Sequence, residues 1–114
     1  MKRYILLYVA PLTVAQRFAQ ATPEEARQGL TLWSGWAQKL GPALVDIGKP
    51  LGNAMRVTRD GATRSDSDVI GMSIVQAADQ DQALAIAKDH HHLRWATECE
   101  IVVLEEMPIP ELQS

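Results

Sequence analysis

Cysteine occurs once in this chain of 114 residues, at Cys99, so no internal disulfide is available and a reducing, cytoplasmic setting is expected. An excess of either charge is also missing: 11 basic residues against 14 acidic ones leave a net charge of −3. Nucleic-acid phosphates call for a basic stripe, so no nucleic-acid partner is expected. No apolar run approaches the ~18 residues of a membrane helix, and no membrane partner is expected. The apolar start through Tyr4, Ile5, Leu6, Leu7 and Tyr8 is short for a signal peptide and lacks a small-residue cleavage site. An opening strand is expected there instead. Glycine-rich phosphate loops, nucleotide fingerprints and a supported Ser/His/Asp arrangement are all missing, so no cofactor is expected.

What is present has an ordinary globular balance, 46% hydrophobic and 22% charged. The length fits a single domain spanning 1–114, able to bury a core with little to spare.

A first strand is expected over residues 3–10, and a connector or short helical turn over 11–21. Thr22-Pro23-Glu24-Glu25 then starts a helix, with Thr as N-cap, Pro at the first helical position and Glu closing a capping box. Ala26, Leu30, Trp33, Ala37 and Leu40 recur at helical spacing, and Gly41-Pro42 ends the segment. A second strand is expected over 43–48, followed by a turn at 49–53. Met55 to Arg59 forms a short extension with a turn at Asp60-Gly61, and a polar loop follows over 64–67. A third strand covers 69–76, where Gly71 marks a bulge or a close approach. Asp79 caps a second helix with Gln82 in the box position and Ala83, Ile86 and Ala87 on its buried face. This helix is expected to end near His90 to Leu93. A last strand runs over 99–107, stopped at Pro108-Ile109-Pro110.

The order β-α-β-β-α-β is that of an α+β, ferredoxin-like fold: a four-stranded antiparallel sheet with both helices on one face. The other face would be bare, yet Ile101 to Leu104 and Ile5 to Leu7 are apolar on both sides. A second copy supplies the cover most simply, giving a homodimer through the open sheet face. The alternative is that these side chains tuck under the 52–67 connection.

With these elements in place the chain resembles the YCII-related family of dimeric α/β-barrel proteins. The carriers are Tyr4-Ile5-Leu6-Leu7-Tyr8, Pro23-Glu24-Glu25, Trp33-x-x-Trp36 with Leu40-Gly41, and Val45-Asp46-x-Gly48-x-Pro50-Leu51-Gly52. Gly71-x-Ser73-Ile74-Val75-Gln76-Ala77 and Ile101-Val102-Val103-Leu104-Glu105 before Met107-Pro108 complete the series. The resemblance covers nearly the whole chain. It implies a ferredoxin-like subunit, a dimer through the sheets, and a pocket between sheet and helices. One branch of the family is a dehydrochlorinase acting on a chlorinated hydroxyquinol, and many members have no assigned activity. A better studied branch pairs a histidine on the first helix with an acid just before a proline at the end of the second. Here Trp33 stands at the first position, His90 at the second and His91 in place of the proline. A further subfamily has Asp-Gly-Pro-Phe in the central connection, where this chain reads Asp60-Gly61-Ala62-Thr63.

Four groups are candidates for chemistry. His90-His91-His92 is a poor metal site, because consecutive helical residues point about 100° apart. The ring nitrogens either cap carbonyls at a helix end or reach a pocket, with His90 placed to act as a general base. Trp33 and Trp36 are core side chains, or walls that stack on a flat ligand. Asp46, within an apolar strand, lies on a polar face or pairs with a histidine or Arg56. Cys99 has no cationic neighbour in sequence to activate it. The expected site is therefore His90 and Asp46 as catalytic pair, with Trp33, Trp36, His92 and Arg56 binding the ligand and no metal. The expected function is a small-molecule enzyme of lyase or isomerase type acting on an aromatic or carbonyl compound. The alternative is a non-catalytic ligand-binding or accessory module of the same fold.

Overall fold

The computed structural model of the protein describes residues 1–11, 16 and 19–109. The connector expected over 11–21 lies for the most part outside them, as does the tail beyond Ile109. The described chain is α+β: strand β1 (Lys2–Val9), helix α1 (Pro23–Leu40), a 3₁₀ turn (Gly41–Ala43), strands β2 (Leu44–Pro50), β3 (Met55–Thr58), β4 (Gly61–Arg64) and β5 (Val69–Ala77), helices α2 (Gln80–Lys88) and α3 (His92–Trp95), and strand β6 (Glu100–Glu105). Four strands form one antiparallel sheet in the order β2-β5-β1-β6.

The capping box at α1 is formed. Thr22 Oγ1 accepts from the Glu25 N–H and Glu25 Oε1 accepts from the Thr22 N–H, each at 3.1 Å. The Thr22 backbone N–H, and after it the Thr22 hydroxyl, favour the charged carboxylate and lower the Glu25 pKa. The expected apolar face of α1 is only half used. Trp36 is buried and Trp33, Ala37 and Leu40 pack on the core, but Ala26 is exposed and Leu30 is 63% exposed. A helix of 18 residues is ~27 Å long, and only its C-terminal half meets the core.

Strand β2 departs from regular pairing. Leu44, Asp46 and Lys49 face Val75, Ile74 and Met72, so extra residues are accommodated twice. Gly48 makes the second irregularity possible: its φ is +88°, and a Cβ there would lie 1.5 Å from the Met72 carbonyl oxygen. Asp46 Oδ1 accepts from the Gly48 N–H at 2.8 Å and closes this turn.

Residues 55–64 form a hairpin of their own rather than a single short extension. Strand β3 pairs with β4 from Met55 opposite Arg64 to Thr58 opposite Gly61, and Arg64 belongs to a strand rather than to a loop. The Asp60-Gly61 turn signal reverses the chain tightly enough to pair its flanks. Helix α2 is capped by Asp79, whose carboxylate accepts from the Gln82 N–H at 2.9 Å, while Gln82 Oε1 accepts from the Ala78 N–H. It ends at Lys88, two residues before the expected boundary, and the chain turns at Asp89 to begin α3 at His92.

The sheet sorts its side chains by alternation. Tyr4, Leu6 and Tyr8 of β1 and Gly71, Ser73, Val75 and Ala77 of β5 are buried on the inner face, against Trp36, Ala83 and Ala87 of the helices. The outer face carries Ile5 between Ile74 and Leu104, and Leu7 between Met72 and Val102. Val102 and Leu104 remain 43% and 46% exposed there, so the outer face is apolar and uncovered in the single chain. Among the described residues no helix is long and apolar enough to cross a membrane.

Candidate functional site

Six rings gather at one end of the inner face: Tyr8 from β1, Trp33 and Trp36 from α1, and His90, His91 and His92 from the α2–α3 turn. Strand alternation delivers Tyr8, since Tyr4, Leu6 and Tyr8 share a face. Gly71 delivers space for it, because a Cβ at that position would lie 3.2 Å from the Tyr8 ring. The glycine expected to mark a bulge or a close approach marks both, since the β1–β5 register also shifts beside it, from Tyr8 opposite Gly71 to Val9 opposite Val69. Helical spacing brings Trp33 and Trp36 to the same side. The early end of α2 swings His90 under the helix pair, where it is 1% exposed.

His90 is the centre of the group. Its ring lies 4.5 Å from Trp36, 4.7 Å from Tyr8, 4.5 Å from His91 and 5.8 Å from Trp33, centroid to centroid. Its Nδ1 accepts from the His92 backbone N–H at 3.0 Å, which leaves the ring proton on Nε2. Burial, with minor repulsion from the two neighbouring imidazoles, pushes its pKa down to about 3. At neutral pH His90 is therefore an uncharged N–H donor. This differs from the expected general base, whose pKa would have to sit near the working pH.

The other rings divide into anchored and unanchored. His92 Nε2 donates to the Val9 carbonyl at 3.0 Å, tying the α2–α3 turn to the end of β1. Burial lowers its pKa, partly offset by carbonyl contacts at Val9 and Glu100. Trp36 Nε1 donates to the Ile86 carbonyl at 3.2 Å and ties α1 to α2. The Tyr8 hydroxyl donates to Ser73 Oγ at 2.6 Å, and Ser73 Oγ donates to the Ile47 carbonyl at 2.6 Å. Burial raises the Tyr8 pKa to about 12, so it stays protonated. By contrast, Trp33 Nε1, His90 Nε2 and His91 Nδ1 are buried and have no hydrogen-bond partner. Each such atom costs about 1–3 kcal/mol while unpaired. His91 itself is half-buried, and burial lowers its pKa.

The expected Asp46–His90 pair is not formed. Asp46 stands opposite Ile74, whose neighbours Ser73 and Val75 point to the inner face, so Asp46 belongs to the outer side of the sheet. It is exposed, with its carboxylate on Gly48 N–H. The reason is the irregular pairing of β2, which regular alternation does not predict. Arg56 lies in the β3–β4 hairpin, where its guanidinium stands 3.9 Å from the Asp66 carboxylate, and it makes no contact with the rings among the described residues. Trp33, Trp36, His90 and His92 do come together. Tyr8 and Ser73 join them without having been singled out. A serine flanked by Met72 and Ile74 in a mainly apolar strand and a tyrosine in register with Tyr4 and Leu6 were the available signals.

Among the described residues no three His, Cys, Asp or Glu side chains are gathered as a metal ion requires. Two surface concavities of about 540 and 510 Å³ run along α1, lined by residues such as Arg27, Thr31 and Gln38. They are open to solvent, and none of the six rings lines them. No protein-family model matches this chain, and no curated protein matches it.

Proposed function

We propose that the protein binds a small, flat organic molecule at the ring cluster between α1, the sheet and the α2–α3 turn. One observation carries this reading: the ring nitrogens of Trp33, His90 and His91 end buried and unpartnered within a single group of aromatic side chains. Nearly all buried polar atoms in folded proteins are paired, so three exceptions in one place mark groups held ready for a partner. The aromatic faces around them offer stacking surface, and Trp33 and His91, both half-buried, form the side nearest solvent. The uncharged His90 favours the binding or accessory module over an acid–base enzyme. Titration of the protein with a panel of flat aromatic and keto compounds, followed by tryptophan fluorescence, tests the reading. Saturable quenching that is lost in Trp33→Leu is expected, and a flat response to every compound overturns it.

A second reading, an enzyme of lyase or isomerase type, is favoured by the N–H character of Trp33 and His90. Uncharged donors in a dry site stabilise an oxygen that gains negative charge during a reaction. Turnover of a bound compound, lost in His90→Leu with binding retained, would select it.

The subunit is further proposed to be ferredoxin-like and related to the YCII family, acting as a homodimer. Counting the β3–β4 hairpin as an insertion, the order β2-β5-β1-β6 supports the ferredoxin-like topology. The aliphatic outer face supports the dimer, since Ile5, Leu7, Met72, Ile74, Val102 and Leu104 present a continuous apolar surface. Sedimentation at micromolar concentration is expected to give twice the chain mass, and Leu104→Lys to return it to the single-chain value. A single-chain mass for the unmodified protein overturns the dimer.

A further inference from the structure

The unpaired nitrogens also bear on which ligand the site accepts, an inference that rests on the small-molecule reading above. Trp33 Nε1 can only donate a hydrogen bond. His90 Nε2 also donates, because Nδ1 is occupied by the His92 N–H at 3.0 Å. Only His91 Nδ1 is free to take either role. Two fixed donors therefore lie on rings 5.8 Å apart and nearly perpendicular, at 79°. Nothing on those rings accepts from them, so the partner must bring an acceptor. A hydroxyl or amine on a ligand would find only His91 Nδ1 to take its proton, whereas an oxygen lone pair meets both fixed donors.

The charges around the rings narrow the class further. Of the basic side chains near the turn, Arg94 Nη1 donates to the Asp89 carbonyl at 3.4 Å while its charge is felt at His91, and Lys39 Nζ lies 3.1 Å from the Asp89 carboxylate. Both cations are thus engaged at Asp89. No hydrogen bond or ion pair brings a lysine or arginine onto the ring cluster among the described residues. The Asp89 carboxylate is adjacent in sequence to His90 and repels an incoming anion. Burying a carboxylate or phosphate without a cation costs several kcal/mol, more than two neutral donors return.

We infer that the site takes an uncharged, flat molecule through a conjugated carbonyl oxygen that accepts from the Trp33 and His90 N–H groups, and that it discriminates against anions of the same shape. The low His90 pKa, about 3, is consistent with this, since the imidazole brings no positive charge with which to hold an anion at neutral pH.

Three probes of one skeleton separate the contributions: coumarin, which has the carbonyl; 2H-chromene, which lacks it; and coumarin-3-carboxylate, which adds a charge. Affinities are measured by equilibrium dialysis at pH 7, and the indole N–H signals are followed in a ¹H–¹⁵N spectrum, with the Trp33 signal assigned by its loss in Trp33→Phe. Coumarin is expected to bind roughly tenfold more tightly than 2H-chromene and to move the Trp33 indole proton downfield. Coumarin-3-carboxylate is expected to bind less tightly than coumarin. Trp33→Phe should reduce the preference for coumarin over 2H-chromene and leave 2H-chromene itself nearly unaffected. Equal binding of coumarin and 2H-chromene, or tighter binding of the carboxylate, overturns the inference while leaving a small-molecule site in place. Failure of all three probes to bind removes the inference and counts against the small-molecule reading as well. The ranking of the three probes is measured on the unmodified protein, so the test survives a Trp33→Phe variant that fails to fold.

Discussion

Leu7 and Tyr8 are neighbours in β1 and serve opposite faces of the same sheet. Leu7 sits in a row with Met72 and Val102, a surface made of aliphatic groups alone. Tyr8 sits under two helices, in a cluster where every side chain has a polar atom to place. Both faces are apolar, but only the inner one is withdrawn from water in the single chain. The inner face depends on matched geometry: a hydroxyl relay from Tyr8 through Ser73, a histidine on a carbonyl, and a glycine that yields room for a ring. The outer face depends on area, which any complementary apolar surface can cover. Substitutions should therefore be punished very differently on the two sides.

The largest contrast is expected between Leu6 and Leu104. Leu6 is fully buried on the inner face, and Leu6→Ala should cost about 3–4 kcal/mol in a denaturant titration, from lost transfer energy and the cavity left behind. Leu104→Ala, at a position 46% exposed in the single chain, should cost under about 1 kcal/mol in dilute conditions where only single chains exist. Equal costs would mean that the outer face is already covered in the subunit.

Gly48→Ala comes next and tests whether the edge strand tolerates regular geometry. With φ at +88° and the Met72 carbonyl in the way, the strand must shift, and a loss on the order of 3 kcal/mol is expected by thermal unfolding. Gly41→Ala is the control. Gly41 also has a positive φ, +53°, but nothing lies within 4 Å of its Cβ position, so the loss should be about 1 kcal/mol.

A smaller and more gradual effect is expected from acid. In the folded chain His90 takes up its proton only near pH 3, whereas in the unfolded chain it does so near 6.5. Between those values the unfolded state holds more protons, so stability is complete above about pH 6.5 and declines as the pH falls toward 3. His91 and His92, lowered in the same direction by burial, add to the decline. Glu25 is lowered as well and contributes at the acid end of the range. In His90→Gln the pH dependence should be visibly shallower than in the unmodified protein when unfolding midpoints are compared. An unchanged slope would place the imidazole in contact with water.

The same contrast explains what could be foreseen from the residues alone. Helix starts are local, and the Thr22 and Asp79 caps behave as their sequences imply. Strand alternation is local too, and it placed β1, β5 and β6. The hairpin at 55–64 was only half visible, because its turn was legible but its pairing required Arg64 to return alongside Met55. The site was legible where periodicity governs, in Trp33 and Trp36. It was not legible at Asp46, because two irregularities in β2 decide which side its carboxylate takes, and they depend on how β5 packs alongside. His90 was singled out as a continuation of the α2 face, yet it owes its burial to the end of that helix at Lys88. The three unpaired nitrogens come from two places distant in the chain, α1 and the α2–α3 turn, and no pattern in a linear string records what they fail to touch.

The distorted course of β2 has one more effect. This strand is one of the two outer edges of the sheet, where free amides and carbonyls invite further strands to join. Its kinks at Asp46 and Gly48, with the Lys49 ammonium between Gly48 and Pro50, present an incoming strand with mismatched spacing and a charge that must be stripped of water. The glycine that bends this margin therefore works against the docking of a further strand along it.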